Sequence, residues 1–194
     1  MAAGGIRLGH VALLRGVNVG GRNRIRMEDL RQIAIDLGLA GARTYLQSGN
    51  LVFLTSEGSG LSVEEALRGA LAQRLGTSVA VIVKSQTALA AATAANPFGE
   101  AASSDPSHLL VTFMSSGPRR DGVAALRAAA KLSERVELVG DELFIHYVGG
   151  VADSRLTSAL IDRALEATGT ARNWNTVVAL EALARGLGQG DEAR

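Results

Sequence analysis

Val11-Ala-Leu-Leu14 is an unbroken apolar run, and after a polar, glycine-rich interval apolar residues return at helical spacing: Met27, Leu30, Ile33, Ala34 and Leu37. The run predicts a buried strand over 10–14, and the spacing predicts an amphipathic helix from about Met27 with Gly38 at its C′ position. Residues 1–7, which include Ala-Ala-Gly-Gly, read as a disordered start. Residues 43–46 and 51–54 predict two short strands joined by a tight Ser48-Gly49 hairpin. After a surface loop over 55–60, Ser62 and Glu65 have capping-box spacing for a second helix with the stripe Val63, Ala66, Leu67, Ala70, Leu71. Gly76 ends that helix and residues 79–83 form another strand. The predicted order is βαββαβ.

A chain of that order folds as a four-stranded antiparallel sheet with both helices on one face, the ferredoxin-like arrangement. If the first strand runs up, the first helix runs down, the second strand up and the third down. The end of strand one and the hairpin between strands two and three then share one edge of the sheet. Residues 15–24 and 47–50 become neighbours although they are far apart in sequence.

The second half is patterned less regularly. Ser85 can cap an Ala-rich helix that ends before Asn96-Pro97, because proline disfavours helix at the residue before it. A polar loop over 97–107 leads to a strand at 109–114, a turn at 115–118 and a helix around 119–132. Residues 136–139 and 143–148 read as a hairpin through Gly140-Asp141. Two helices close the chain, one carrying Leu156, Leu160, Ile161 and Leu165 and stopping at Gly169, the other starting around Asn173 with Val177, Leu180, Leu183 and Leu187. Residues 188–194 read as a frayed tail, and no repeat of fixed period is visible. The fold class is α+β: a ferredoxin-like subdomain over 1–95 packed with a smaller α/β subdomain over 96–194.

Composition narrows the function classes. The 194 residues are 47% hydrophobic and 20% charged, as in ordinary globular proteins. A formal net charge of +1 argues against a strong non-specific polyanion binder. With no cysteine, disulfides, thiolate catalysis and zinc–cysteine sites are excluded together. The run at 11–14 is too short for a signal peptide or a membrane span, so a soluble cytoplasmic protein is expected.

Three loops concentrate amides, glycine and arginine. The first, Arg15 to Arg26, lies between strand and helix, where chains often hold an anion. Gly16, four residues and Gly21 give the spacing of a P-loop, but Arg22 and Asn23 follow where Lys and a hydroxyl residue belong. The dinucleotide pattern of three spaced glycines also fails. What survives is a set of backbone N–H groups exposed by Gly20 and Gly21 beside Arg15, Asn18, Arg22 and Arg24, able to hold a phosphate or carboxylate; equally, the glycines can serve a tight turn with the arginines in solvent. The second loop is Gln47-Ser48-Gly49-Asn50, either ordinary hairpin chemistry or amides that recognise a base edge or sugar hydroxyl. The third is Arg172-Asn173-Trp174-Asn175-Thr176: a capped helix start with tryptophan as a core anchor, or a stacking surface with an adjacent arginine.

The blocks Leu14-Arg-Gly-Val-Asn-Val-Gly-Gly21, Met27-Glu-Asp-Leu30, Thr44-Tyr-Leu-Gln-Ser-Gly-Asn-Leu-Val-Phe53, Asn96-Pro-Phe98 and Thr170-Ala-Arg-Asn-Trp-Asn-Thr-Val177 span nearly the whole chain. In this order they resemble the bacterial family catalogued as domain of unknown function number 1697. The resemblance implies an α+β fold with a ferredoxin-like first part and supplies no activity.

No catalytic apparatus is recognisable. His10, His108 and His146 fall in strand patterns and lack metal-ligand spacing, no Gly-x-Ser-x-Gly elbow is present, and no pair of acids recommends itself as a metal site. No cofactor is implied. Three functions are carried forward: binding of a small anionic, phosphate- or nucleotide-like ligand between the 15–24 loop, the 47–50 hairpin and the 172–176 turn if the fold brings it there; nucleic-acid binding on the sheet, for which Tyr45 and Phe53 are the aromatic candidates in the first half; and an enzyme that uses its arginines electrostatically.

Overall fold

The computed structural model describes residues 7–21, 23–56, 59–131 and 133–191. The chain divides into two compact units, Met1–Leu89 with Leu180–Arg194, and Ala90–Ala179.

The first unit contains β1 (Arg7–Leu14), α1 (Met27–Asp36), β2 (Ala40–Tyr45), β3 (Asn50–Ser56), α2 (Gly60–Leu75) and β4 (Val81–Ser85), and α3 (Gln86–Ala94) begins in it. Its sheet has the order β2-β3-β1-β4 with every neighbouring pair antiparallel. Alternation along each strand sends Ala12, Leu14, Leu51 and Phe53 to the helix side, where they pack with Leu30 and Ala34 of α1 and Leu67 and Leu71 of α2. Each of the larger side chains contributes about 1.5–3 kcal/mol by leaving water. On the other face of β1 a Cβ at Gly9 would stand 2.0 Å from the carbonyl oxygen of Ala184, so glycine is what lets the chain's last helix lie against this strand.

Local expectations are corrected at several points. β1 starts at Arg7, inside the segment read as a disordered start; residues 1–6 lie outside the described residues. The strand read over 79–83 is β4, two positions later. The capping box at Ser62 and Glu65 does not form, because α2 begins at Gly60 and places Ser62 within its first turn, where Oγ donates to the Ser59 carbonyl at 2.8 Å. The surface loop expected over 55–60 is trimmed at both ends by β3 and α2, and residues 57 and 58 lie outside the described residues. The two helix stops hold: Gly38 has φ 74° and Gly76 φ 68°.

In the second unit, α4 (Gly99–Ser104) occupies most of the stretch read as a polar loop; Asn96 Oδ1 accepts from the Phe98 N–H at 2.9 Å just ahead of it. β5 (Leu109–Met114), α5 (Gly122–Ala129), β6 (Arg135–Val139), β7 (Glu142–His146), α6 (Ser158–Leu165) and β8 (Gly169–Asn173) follow, and α7 (Trp174–Asp191) carries the chain back into the first unit. α5 is shorter than the helix read over 119–132: the arginines at its start are tied into ion pairs, Ala130 is extended, and Leu132 lies outside the described residues. α6 stops at a left-handed Glu166 (φ 51°) rather than at Gly169, which leaves room for β8, a strand the helix-to-helix reading omitted. α7 continues through the supposed frayed tail to Asp191, and residues 192–194 lie outside the described residues.

The sheet order here is β6-β7-β5-β8, again antiparallel throughout. With β5 to β8 in the places of β1 to β4, the second unit has the βαββαβ topology of the first. The class is α+β, and the arrangement of the first half recurs in the second.

Candidate functional site

The loop after β1 is rooted at its base. The Leu14 N–H donates to the Gly49 carbonyl and the Arg15 N–H to the Ala80 carbonyl, both at 2.9 Å. Val17 and Ile25 are buried and join the core of the first unit. Between them Asn18, Gly20, Gly21 and Asn23 all adopt positive φ, which doubles the chain back on itself. Asn18 closes the lobe: its Oδ1 accepts from the Ile25 N–H at 2.9 Å, and its Nδ2 donates to the Ile25 carbonyl at 2.9 Å and to the Gln47 carbonyl at 2.8 Å. Asn23 Nδ2 donates to the Gly16 carbonyl at 3.2 Å. The lobe and the turn between β2 and β3 therefore meet, as the strand directions require. At the junction a Cβ on Gly49 would lie 2.4 Å from Val17 Cγ2 and 2.8 Å from Leu14 Cβ, so only glycine fits.

Beside this junction is an open groove of about 560 Å³ lined by Asn18, Gly21, Arg24, Ile25, Arg26, Asp29, Gln47 and Arg74. Arg26 reaches Asp29 Oδ1 at 3.1 Å and Arg74 reaches Asp29 Oδ2 at 2.9 Å, so two guanidiniums from different elements hold one carboxylate. The bond from Arg26, with help from the charge of Arg74, keeps the Asp29 carboxyl below its ordinary range, and the same bond raises Arg26. Three cationic side chains face one anionic one. Guanidinium forks suit the planar or tetrahedral oxygens of carboxylates and phosphates.

Arg24, Gly21, Asn18 and Gln47 of the sequence-derived candidates line this groove. Arg15 is half-buried at the loop base, Gly20 is exposed, and Arg22 lies outside the described residues. Ser48 and Asn50 brace the turn: Asn50 is fully buried, and its Nδ2 donates to the Tyr45 carbonyl at 2.9 Å and to Ser48 Oγ at 3.0 Å. Arg172, Asn173, Trp174 and Asn175 belong to the second unit. There Arg172 stands on β8 opposite Val111, buried, donating to Thr170 Oγ1 and the Ala171 carbonyl at 2.8 Å each. Burial pushes its guanidinium down to about 10, which still leaves it charged at neutral pH. Asn173 Oδ1 caps α7 by accepting from the Thr176 N–H at 2.9 Å, the Trp174 N–H donates to the Pro106 carbonyl at 3.2 Å, and Asn175 is exposed.

Sequence reasoning passed over Asp29, Arg26 and Arg74 as site residues. Arg26 closes the arginine-rich stretch and was within reach; Arg74 sits on α2 with nothing in its local pattern to single it out. His10 and His146 stand on strands, β1 and β7, as read. His10 stacks on Phe53 with ring centroids 6.0 Å apart, and Phe53 is fully buried, which removes it as a base-stacking surface. His108 lies in a turn rather than a strand, and the Asp105 carboxylate joins it (2.7 Å) to His146 (3.0 Å). Among the described residues no group of three or more His, Cys, Asp or Glu is placed to hold a metal ion, and no helix is long and apolar enough to cross a membrane.

Comparison with known proteins agrees with this fold. A family model described as "Protein of unknown function (DUF1697)" matches residues 9–144. The structure resembles that of conserved bacterial protein SP0830 from Streptococcus pneumoniae, with a TM-score of 0.69 and 23% sequence identity, covering 92% of this chain and 99% of that one. No curated protein matches the chain.

Proposed function

We propose that this chain, which belongs to the DUF1697 family of proteins of unknown function, binds a small anionic ligand, phosphate- or carboxylate-bearing, in the groove between the 18–25 lobe and the start of α1. The observation that carries the reading is the convergence of Arg26 and Arg74 on the two oxygens of Asp29, with Arg24 lining the same groove. Guanidiniums from separate elements that already grip a carboxylate are positioned to grip another oxyanion beside or in place of it. The amide of Gln47 adds neutral recognition at the rim. The Asn18 bonds fix the lobe before any ligand arrives, which lowers the ordering cost of binding.

The test is thermal unfolding against phosphate, pyrophosphate, nucleotides and sugar phosphates, on the parent and on Arg24→Ala/Arg74→Ala. A ligand at a hundred times its Kd adds about 2.7 kcal/mol, a rise in Tm of roughly 5–10 °C for a chain of this size. The rise is expected to vanish in the double variant, and Asp29→Asn, which releases Arg26 and Arg74, is expected to strengthen it. A panel without any shift, or a shift the double variant keeps, would sink the proposal. A shallow dependence on salt separates a small ligand from a polyanion, which gives a steep one.

A further inference from the structure

We infer that the ligand of this groove is an organic anion, a phosphate or carboxylate attached to an apolar or planar body, rather than an inorganic one; the inference rests on the anion-binding reading above. Two side chains carry it. Val19 and Leu46 are large apolar residues left 65% and 56% exposed. Each is the chain neighbour of a groove-lining residue, Asn18 and Gln47, and those two residues are joined by the 2.8 Å bond from Asn18 Nδ2 to the Gln47 carbonyl. One hydrogen bond therefore joins the two groove-lining residues that an exposed valine follows and an exposed leucine precedes in the chain.

Leu46 also stands in the left-handed region, with φ 56°. Glycine or asparagine is the usual occupant of such a turn position, and leucine there is strained as well as exposed. The topology does not demand either feature. At the corresponding edge of the second unit the loop is Ser115-Ser-Gly-Pro-Arg-Arg-Asp121 and the turn is Gly140-Asp141, with no large apolar residue in either.

An inorganic anion would use the guanidiniums alone and leave Val19 and Leu46 in water. An ester or acid whose body lies across them uses both halves of the site. A flat anionic membrane is the competing occupant for exposed apolar side chains among arginines. The concavity of the groove, and the Asp29 carboxylate inside it, favour a single head group entering over a sheet of them.

Titration calorimetry with inorganic phosphate and with phenyl phosphate decides it, on the parent, on Val19→Ser/Leu46→Gly, and on Arg24→Ala/Arg74→Ala. The parent is expected to bind phenyl phosphate about tenfold more tightly than phosphate, the equivalent of burying about 55 Å² of apolar surface. The Val19→Ser/Leu46→Gly variant is expected to bring the two affinities together without changing that for phosphate, and the arginine variant to lose both. Equal affinities in the parent overturn this inference and leave the anion reading standing. Discrimination that survives in Val19→Ser/Leu46→Gly overturns the role of these two residues. Binding of neither compound overturns the anion reading and this inference with it. Capture of phosphatidylglycerol vesicles by a parent that ignores phenyl phosphate overturns it in favour of a lipid surface.

Discussion

The two units share a strand order but treat the same edge of the sheet in opposite ways. In the first, residues 15–26 carry Arg15, Arg22, Arg24 and Arg26 and no acid, and the turn at 46–49 carries no charge. In the second, the shorter loop at 115–121 and the turn at 140–141 balance every base with an acid. Arg119 donates to Asp121 at 2.7 and 2.9 Å and to Glu166 at 2.6 Å, and Arg120 lies 3.6 Å from Asp141. The bonds to Asp121 and Glu166 hold Arg119 well above the ordinary arginine range. βαββαβ topology thus brings the first loop and the hairpin turn together twice in this chain, and once their charges close on one another. The adjacency comes from the fold. The cationic excess does not, so it is the part that calls for a function.

The largest expected effects test whether the units rely on the same kind of packing device. A Cβ on Gly9 would meet the Ala184 carbonyl oxygen at 2.0 Å, and one on Gly122 the Ala164 carbonyl oxygen at 1.8 Å. Backbone cannot step aside as a flexible side chain can, so Gly9→Ala and Gly122→Ala are each expected to destabilise by roughly 3 kcal/mol, a fall in Tm of roughly 6–12 °C. Calorimetry that finds either variant as stable as the parent removes that contact from the account. The next pair sits at the contrasting edge itself. Gly49 and Gly140 occupy equivalent turns, both with positive φ, 72° and 60°. A Cβ on Gly49 collides with Val17 and Leu14, while one on Gly140 finds only Glu142 Oε2 at 3.6 Å. Gly140→Ala is expected to cost about 1 kcal/mol for the left-handed backbone alone, and Gly49→Ala about 2–3 kcal/mol more for the collision. Equal urea midpoints for the two would erase the distinction.

Smaller effects sharpen the difference between a built lobe and a plain turn. Asn18→Ala removes three hydrogen bonds between residue 18 and residues 25 and 47. At about 0.5–1.5 kcal/mol each, partly replaced by water at this half-exposed position, the loss is expected near 2 kcal/mol, with anion binding lost as well. Leu46→Gly moves the other way: relief of the left-handed strain exceeds the added chain entropy by about 0.5 kcal/mol. A more stable Leu46→Gly variant that discriminates phenyl phosphate less would show strain retained for function.

Much of this comparison was legible in the residues. The buried run at 11–14, the stripe along α2 and the glycine stops led to the first sheet, and strand directions alone led to the meeting of the 15–24 loop with the hairpin. β8 was not legible: Gly-Thr-Ala-Arg-Asn has no apolar alternation, and its arginine is buried by tertiary packing that no local pattern announces. Without β8 the recurrence of the topology in the second half stayed hidden, because it recurs in strand order and not in sequence. α4, six residues without an apolar stripe, was lost for the same reason. At the site, Asn18 and Asn50 bond the backbone around them, with Asn18 also lining the groove, while Arg74 enters the groove from a helix of another pattern altogether. Polar residues in a loop announce that something is being bonded, and only the fold tells whether the partner is the chain itself.

The smallest expected effect compares the carboxylates that each unit holds between two cationic-type partners. Asp29 sits between Arg26 and Arg74, and Asp105 between His146 and His108. Hydrogen bonds from Arg26 in one case and His146 in the other are the main cause that keeps each carboxyl below its ordinary value of 3.8. A carboxyl lowered by folding stabilises the native state above its unfolded value and ceases to do so as the pH falls through its folded value. Stability from both groups is therefore complete at neutral pH and is lost below pH 3.8. Asp29→Asn and Asp105→Asn are each expected to lower the urea midpoint slightly at pH 6 and to converge with the parent as the pH falls through the folded value of each carboxyl. Asp105 is the more exposed of the two carboxylates, so its contribution is expected to fall the more as salt is raised. Midpoints that stay parallel to the parent at every pH would mean that the guanidiniums and imidazoles hold these side chains in place without gaining from their charge, and the groove of the first unit would then owe its form to the Asn18 lobe alone.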